Sequence, residues 1–522
     1  MTLIPSYFNL FDYFLGDERL SSIGNLTAIE FRGCRITYDE LRREVDFWAS
    51  QILACGVQEG DRVALLLYDS PEFIACFIAT LSIGAVCVPI NTFLPPEDVM
   101  FILSDSGARL VIAEDELEWK VSLSDKNFSD RCSLLAIDTE ARHYLDPKDD
   151  MESRAPLPAT TEQSHGFLLY TSGSTGAPKG VLHLHGAIPH TVRCYAVNVL
   201  GLSREDRVYS SSRMFFAYGL GNSLSFPLAA GATCILDPER PTPERIARIF
   251  EEQRPTVFCG VPAVYRSLLD FKAGGNRLDV SSLRVCVSAG EALPARIFED
   301  WRREFGLIIL DGIGSTEMLH IFISNSAEEA RAGSSGKVVE GYEARLTGDN
   351  GKEASAGEPG NLFVSGESAT AGYWNRPDLT QEAIRDGWVR TGDIYLKDAE
   401  GFYYHVGRSD DCFKVRGLWV SPIEVESALL AHDAVAEAAV VSDIDKNGLA
   451  TAKAYVVIRT EEDGEDFKEE LREFVGSRLP QHKVPSSIEI ITEMPRTSTG
   501  KIQRFKLRAA SRRHRSGGSD DN

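Results

Sequence analysis

The chain has 522 residues, too many for one hydrophobic core, so at least two packed units are expected. Its composition is that of an ordinary globular protein, and a formal net charge of -22 argues against a nucleic-acid partner, which needs clustered Lys and Arg. The ten Cys have no CxxC spacing and sit mostly in apolar runs, the pattern of reduced, buried thiols in a cytoplasmic protein.

The N-terminal segment carries Asp12, Asp17 and Glu18 with no early basic residue, so no signal peptide is expected. Arg62–Leu67 reads as a strand and Pro71–Leu81 as a helix. From Phe73 to Ile90 the chain is free of charge and just reaches membrane-spanning length. Gly84 interrupts that run and Val86–Ile90 is strand-like, so a buried helix, a turn and a buried parallel strand are expected rather than a span. Phe167–Tyr170 is a further strand, and it feeds Thr171-Ser172-Gly173-Ser174-Thr175-Gly176-Ala177-Pro178-Lys179-Gly180. Glycines there let the backbone approach an anion, hydroxyls add donors and Lys179 adds a mobile charge. Thr171, Ser172, Gly173, Ser174, Thr175 and Lys179 are therefore candidate polyphosphate ligands. The spacing is not that of a Walker A loop, because Pro178 stands where the second glycine belongs and Gly180 follows Lys179. His183, His185 and His190 come next and are not expected to be a metal site, no Asp or Glu lying close by in the sequence to complete one.

Met214-Phe215-Phe216-Ala217-Tyr218-Gly219-Leu220-Gly221-Asn222 is an aromatic–glycine cluster, which alone suits core packing better than a binding wall. Thr256–Val261 reads as a strand, and Pro262 is a good first residue for a helix to Phe271. Strands at Leu283–Ser288 and Leu307–Leu310 each run into a glycine-containing loop, Ser288–Ala292 and Asp311–Glu317. Strands alternating with helices imply α/β layers with largely parallel sheets, and such strand ends are where ligands bind. Thr391-Gly392-Asp393 precedes Gly407-Arg408-Ser409-Asp410-Asp411, where the boundary between domains 1–409 and 410–522 is placed. Beyond it the pattern is a compact α+β unit. Ser421-Pro422-Ile423-Glu424 reads as a capping box opening a helix to about His432. Strands at Val435–Val441 and Ala452–Ile458, a helix near Asp466–Leu479 and a strand at Ile488–Ile491 follow. The polar loop Pro495–Lys501 comes last, and the tail from Ser516 is expected to be disordered. No internal repeat occurs, and no G-x-S-x-G elbow, so a serine hydrolase is not favoured.

These blocks, in this order and along nearly the whole chain, resemble the adenylate-forming superfamily of acyl- and aryl-CoA synthetases, peptide-synthetase adenylation domains and luciferases. The wording of several is most similar to the benzoate–CoA ligases. The resemblance implies a large multi-layer α/β N-terminal domain with a small, mobile α+β C-terminal domain. It implies ATP, Mg2+ and coenzyme A as cofactors, a small aromatic carboxylate as substrate, and an acyl-AMP between them. By the same resemblance the 171–179 loop holds the ATP phosphates, and Ala217, Tyr218 and Gly219 flank the substrate ring, as suits aromatic edge and face contacts. Ser288, Gly290 and Glu291 would lie beside the adenine and the acyl group. Asp311, Gly312, Ile313 and Gly314 match a nucleotide and substrate block in which Ile313 replaces the usual aromatic residue. Thr316 would donate to the α-phosphate and Glu317 would hold Mg2+, which prefers a carboxylate plus phosphate oxygens. His320 and Ile321 would close the acid pocket.

Asp393 would accept the ribose hydroxyls, Arg408 would bind ribose or phosphate, Asp410 would be the hinge, and Gly417 would pass the pantetheine arm. Lys501 would be the catalytic cation between carboxylate and α-phosphate, offsetting their repulsion as pyrophosphate leaves. The thiol is either CoA or a carrier-protein phosphopantetheine; no carrier domain is fused after Lys501, which favours CoA. A non-catalytic acyl-adenylate or ATP sensor would be expected to lack Lys501, Glu317 or Asp393, and all three are present. Nothing in the residues fixes the oligomeric state.

Overall fold

The computed structural model describes residues 7–121, 131–138, 157–172, 178–348, 351–416, 418–445, 449–459, 464–496 and 502–516, without the side chains of Ser172 and 512–516. Gly173, Ser174, Thr175, Gly417 and Lys501, and the tail after Ser516, lie outside the described residues. The chain packs as two compact units, Met1–Ala344 with Val364–Val389, and Arg345–Phe363 with Arg390–Asn522.

Among the described residues the first unit contains two large sheets. One runs Lys337–Val338, Ile321–Ser324, Ile309–Gly314, Val285–Ser288, Val257–Gly260, Arg207–Ser210, Thr233–Leu236, Thr27–Phe31, Cys34–Thr37. Its strands from Ile309–Gly314 to Thr27–Phe31 are parallel, and antiparallel strands close both edges. The other runs Gly372–Tyr373, Pro178–Leu184, His165–Ser172, Val86–Pro89, Arg62–Leu66, Ala108–Glu114, Ser133–Ile137. The uncharged run forms a helix, a turn and a strand as expected. Ser70 caps the helix Pro71–Ser82 by accepting from the Phe73 amide, and every residue of that helix is buried. Gly84 turns the chain at φ 74 into the fully buried strand Val86–Pro89. Among the described residues no helix is long and apolar enough to cross a membrane.

One element differs in a way that matters for the site. The strand expected at Leu307–Leu310 starts at Ile309 and continues through Gly314, pairing antiparallel with Ile321–Ser324. The glycines there serve a close approach of two strands instead of a loop. A Cβ on Gly312 would sit 2.9 Å from the Ile323 carbonyl oxygen, and one on Gly314 2.7 Å from that of His320. The turn is thereby confined to residues 315–320.

In the second unit Tyr403–Arg408 pairs antiparallel with residues 393–397, setting Asp393 directly opposite Arg408. Ser421 caps the helix Pro422–Leu430 through the Glu424 amide. The reciprocal half of the expected capping box is not made, because the Glu424 carboxylate pairs with Lys483 at 2.5 Å instead. Val435–Ile444, Ala450–Ile458 and Ser487–Ile490 form a sheet covered by that helix and by Glu465–Gly476, over a core of Val425, Leu429, Val440, Val456 and Leu471. A last helix, Arg504–Ser516, has no counterpart in the sequence reading. Its strongly basic sequence hides a short apolar face, with Leu507 buried beside Met494. Arg504 pairs with Glu426 at 2.8 Å and Arg508 with Asp411 at 2.7 Å.

Candidate active site

In the first unit the strand ends gather the residues expected to meet the acid. Phe216 is extended, Ala217–Leu220 is one helical turn, and Gly221–Ser225 continues as a π-helix, a feature frequent at functional sites. The backbone can coil this tightly because Gly219 lies on the Arg213 carbonyl and Gly221 on the His320 ring. The Tyr218 hydroxyl donates to the Gly260 carbonyl at 3.2 Å, anchoring the ring at the end of Val257–Gly260. His320 closes the arrangement, with ring centroids 5.6 Å from Tyr218, 5.3 Å from Tyr195 and 4.4 Å from Phe226. It is only 3% exposed, and burial pushes its imidazole down to about 3, so the ring is neutral. Ile321, beside it, is buried.

Around this aromatic box are buried polar atoms without a well-formed hydrogen bond: both amide atoms of Asn222, the Tyr195 hydroxyl, Ser288 Oγ, Asp311 Oδ1 and both His320 nitrogens. Burial raises the Tyr218 phenol and the Asp311 carboxyl well above their ordinary values. The surroundings of the ring are polar yet uncharged, which suits a flat aromatic body with a few oriented dipoles. Asp311 thus groups with Ser288 and the acid-side residues in packing. Gly290 and Glu291, on the same turn as Ser288, are exposed, as is Gly314, and Ile313 is half-buried.

The 315–320 turn is tied down from two sides. His183 Nε2 donates to the Thr316 carbonyl at 2.8 Å, and the Thr370 amide donates to that of Glu317 at 2.7 Å. The Tyr373 hydroxyl donates to Glu317 Oε1 at 2.8 Å. Among the described residues the second Glu317 oxygen has no hydrogen-bond partner, and the side chain is half-buried, an arrangement that fits a carboxylate ligand of Mg2+. Lys179 lies opposite Thr171 in the Pro178–Leu184 and His165–Ser172 hairpin, and the backbone of Ser172 ends that strand. The histidines set aside as metal ligands have other partners. His185 Nδ1 accepts from the Leu10 amide at 3.3 Å, and His190 meets Glu367 at 3.1 Å.

In the second unit Asp393 is 8% exposed, and its amide donates to Thr391 Oγ1 at 3.1 Å. Gly392 supplies the left-handed turn before it. Arg408 reaches Asp393 Oδ1 at 3.2 Å, and His405 Nε2 lies 3.4 Å from the same oxygen. Burial alone would raise this carboxyl, but His405 and Arg408 together hold it below the usual range. Asp410, half-exposed, is 3.8 Å from Arg408. Sequence reasoning missed Tyr195, Tyr373 and His405. None sits in a glycine-rich or charged pattern, and Tyr195 shows no signal beyond an ordinary apolar helix.

The chain matches the AMP-binding enzyme family over residues 17–374 and the AMP-binding enzyme C-terminal domain over 424–501. It is 42% identical to the benzoate–CoA ligase of Thauera aromatica, covering 97% of each chain. It is 38% identical to the 4-hydroxybenzoate–CoA/benzoate–CoA ligase of Rhodopseudomonas palustris, covering 91% of this chain and 88% of that one. The crystal structure of the anthranilate CoA ligase AuaEII in complex with anthranoyl-AMP superposes with a TM-score of 0.89 at 37% identity, covering 97% of this chain and 98% of that one. Family matches across both units, and relatives matched nearly end to end, lead to one conclusion: the chain belongs to the AMP-binding enzyme family and, within it, to the aryl-acid CoA ligases, which are acid–thiol ligases.

Proposed function

We propose that this ligase, which is ATP-dependent and AMP-forming and uses Mg2+ and CoA, activates benzoate as benzoyl-AMP and transfers the benzoyl group to CoA. The observation that carries the reading is the neutral aromatic box of Tyr218, His320, Tyr195 and Phe226, which suits a flat, largely apolar ring. A carboxylate oxygen of the acid attacks the α-phosphorus of ATP, the bond to the bridging oxygen breaks, and pyrophosphate leaves. Lys501 supplies the cation between the approaching anions, Thr316 orients the α-phosphate, and the loop from Thr171 to Lys179 holds the phosphate chain. Mg2+, when bound by Glu317, neutralises charge on the phosphate oxygens. Asp393, kept ionised by Arg408 and His405, accepts the ribose hydroxyls.

In the second half-reaction the second unit turns about Asp410, and Gly417 leaves room for the pantetheine arm. The thiolate attacks the acyl carbon of the mixed anhydride and AMP departs. A free carrier protein is the alternative thiol source, and a cytoplasmic setting suits ten cysteines outside any disulfide.

The buried amide of Asn222, which makes no well-formed hydrogen bond among the described residues, favours a second reading, in which a ring hydroxyl or amino group is accepted as well. Acid-dependent AMP formation over benzoate, 4-hydroxybenzoate, anthranilate, acetate and octanoate, with and without CoA, tests both. Benzoate is expected to have the highest kcat/KM and to require CoA for turnover. A higher value for octanoate sinks the aryl assignment, and a higher value for a hydroxy or amino acid replaces the first reading with the second.

A further inference from the structure

We propose that Tyr373 is a positioning residue for the Glu317 carboxylate and, through it, for the divalent cation; this rests on the assignment of Glu317 to Mg2+. Glutamate has three rotatable side-chain bonds, so a carboxylate left in solvent pays in entropy to present one oxygen to a metal. Here one oxygen is fixed by the Tyr373 hydroxyl at 2.8 Å, and the other has no hydrogen-bond partner among the described residues.

The phenol is itself held firmly. Gly372–Tyr373 pairs with Pro178–Leu184, Tyr373 standing opposite Val181, so its backbone belongs to the sheet that carries Lys179. The Tyr373 amide donates to Thr380 Oγ1 at 2.9 Å, and the Trp374 amide to the Gly180 carbonyl at 2.8 Å. Three residues upstream, the Thr370 amide fixes the backbone of Glu317 itself. One short segment therefore sets both the backbone and the side chain of the carboxylate, and ties them to the strand leaving the phosphate loop. A hydroxyl whose only purpose was packing needs no carboxylate at its tip. Partners that orient a metal ligand in this way commonly govern metal affinity.

The test is Tyr373→Phe, which keeps the ring and removes only the donor. Two quantities are read at saturating ATP and benzoate: the Mg2+ concentration giving half-maximal benzoate-dependent ATP–pyrophosphate exchange, and Mn2+ binding with a non-hydrolysable ATP analogue, followed by electron paramagnetic resonance. Both are expected to weaken by about tenfold, with the benzoate KM within about twofold of wild type. In a Glu317→Gln background the same substitution should add nothing. A wild-type metal response in Tyr373→Phe, where Glu317→Gln alone shifts it, overturns the proposal, as do additive effects in the double variant. If Glu317→Gln leaves both metal readouts unchanged, the assignment of Glu317 falls, and this inference with it.

Discussion

Asp311 in the first unit and Asp393 in the second are buried to a similar degree, 4% and 8% exposed, and their electrostatics are opposite. Among the described residues Asp311 pairs with no cation, and burial pushes its carboxyl well up, favouring the protonated form. Asp393 has Arg408 and His405 against one oxygen and stays ionised. The difference follows from what each region is expected to meet. The side proposed to meet the aromatic acid is made from aromatic packing and close backbone approach. The side proposed to meet the ribose hydroxyls is made from a carboxylate on a strand, with Arg408 and His405 on the neighbouring strand. Burial favours the protonated form of one aspartate, and the neighbouring Arg408 and His405 the ionised form of the other.

The steric half of this contrast is the easiest to break. A Cβ on Gly219 would lie 2.0 Å from the Arg213 carbonyl oxygen and 2.6 Å from that of Ser212, both backbone atoms with no rotamer to yield. Gly219→Ala should raise the benzoate KM by at least about a hundredfold and cost about 3 kcal/mol of stability, at the upper end of overpacking effects. A melting temperature and a KM both at wild-type values would mean that the Ala217–Leu220 turn is not coiled against residues 212–213.

The electrostatic half predicts unequal responses to the same conservative change. Asp393→Asn removes an anionic acceptor and the ion pair that Arg408 makes with it. The ATP KM should rise by about tenfold to a hundredfold, the size of a lost charge-assisted hydrogen bond, while benzoate binding changes little. Asp311→Asn removes a carboxyl that burial already biases towards its protonated form, so the ATP KM should move by less than about threefold. Equal effects of the two substitutions would show that Asp311 is ionised in the folded protein.

Much of this contrast was legible in the residues, and the parts that were not share a cause. Local signals gave the helix at Pro71, the turn at Gly84 and the cap at Ser421, because each depends on side chains within a few positions. The Thr391-Gly392-Asp393 block and the Gly407–Asp411 block were readable as a pair, and the hairpin sets Asp393 against Arg408. Tyr195 and Tyr373 were not readable, because their importance lies in partners more than fifty residues away, His320 and Glu317. The strand through Gly314 was missed because glycine marks a close approach as often as a turn, and only the pairing with Ile321–Ser324 distinguishes them. The basic helix Arg504–Ser516 was missed because its stabilising partners, Glu426 and Asp411, belong to earlier elements.

A last expected effect concerns acid stability, and it again separates the two regions. His183 and His185 in the first unit are buried with their imidazoles pushed down to about 4, and His320 to about 3. Each is neutral when folded and takes up a proton near 6.5 when unfolded, so its contribution is full at neutral pH and is lost as pH falls from 6.5 towards the folded value. Asp69 and Asp311, whose carboxyls are raised (Asp69 to about 6), act in the opposite direction, gaining stability as pH falls towards 3.8. The total pH profile therefore mixes signs, and a difference between variants is the cleaner measurement. His185→Gln keeps an acceptor for the Leu10 amide and removes one titrating ring. Between pH 7 and pH 5 the variant should lose about 2 kcal/mol less stability than wild type, since each pH unit inside the window carries about 1.4 kcal/mol. Asp393, lowered by its partners, contributes above 3.8 and should hold over that whole interval, so Asp393→Asn should leave the pH 7 to pH 5 difference unaltered. An unchanged difference in His185→Gln would mean that the ring is already charged or solvated in the folded chain, and an altered one in Asp393→Asn that its carboxyl is not held low.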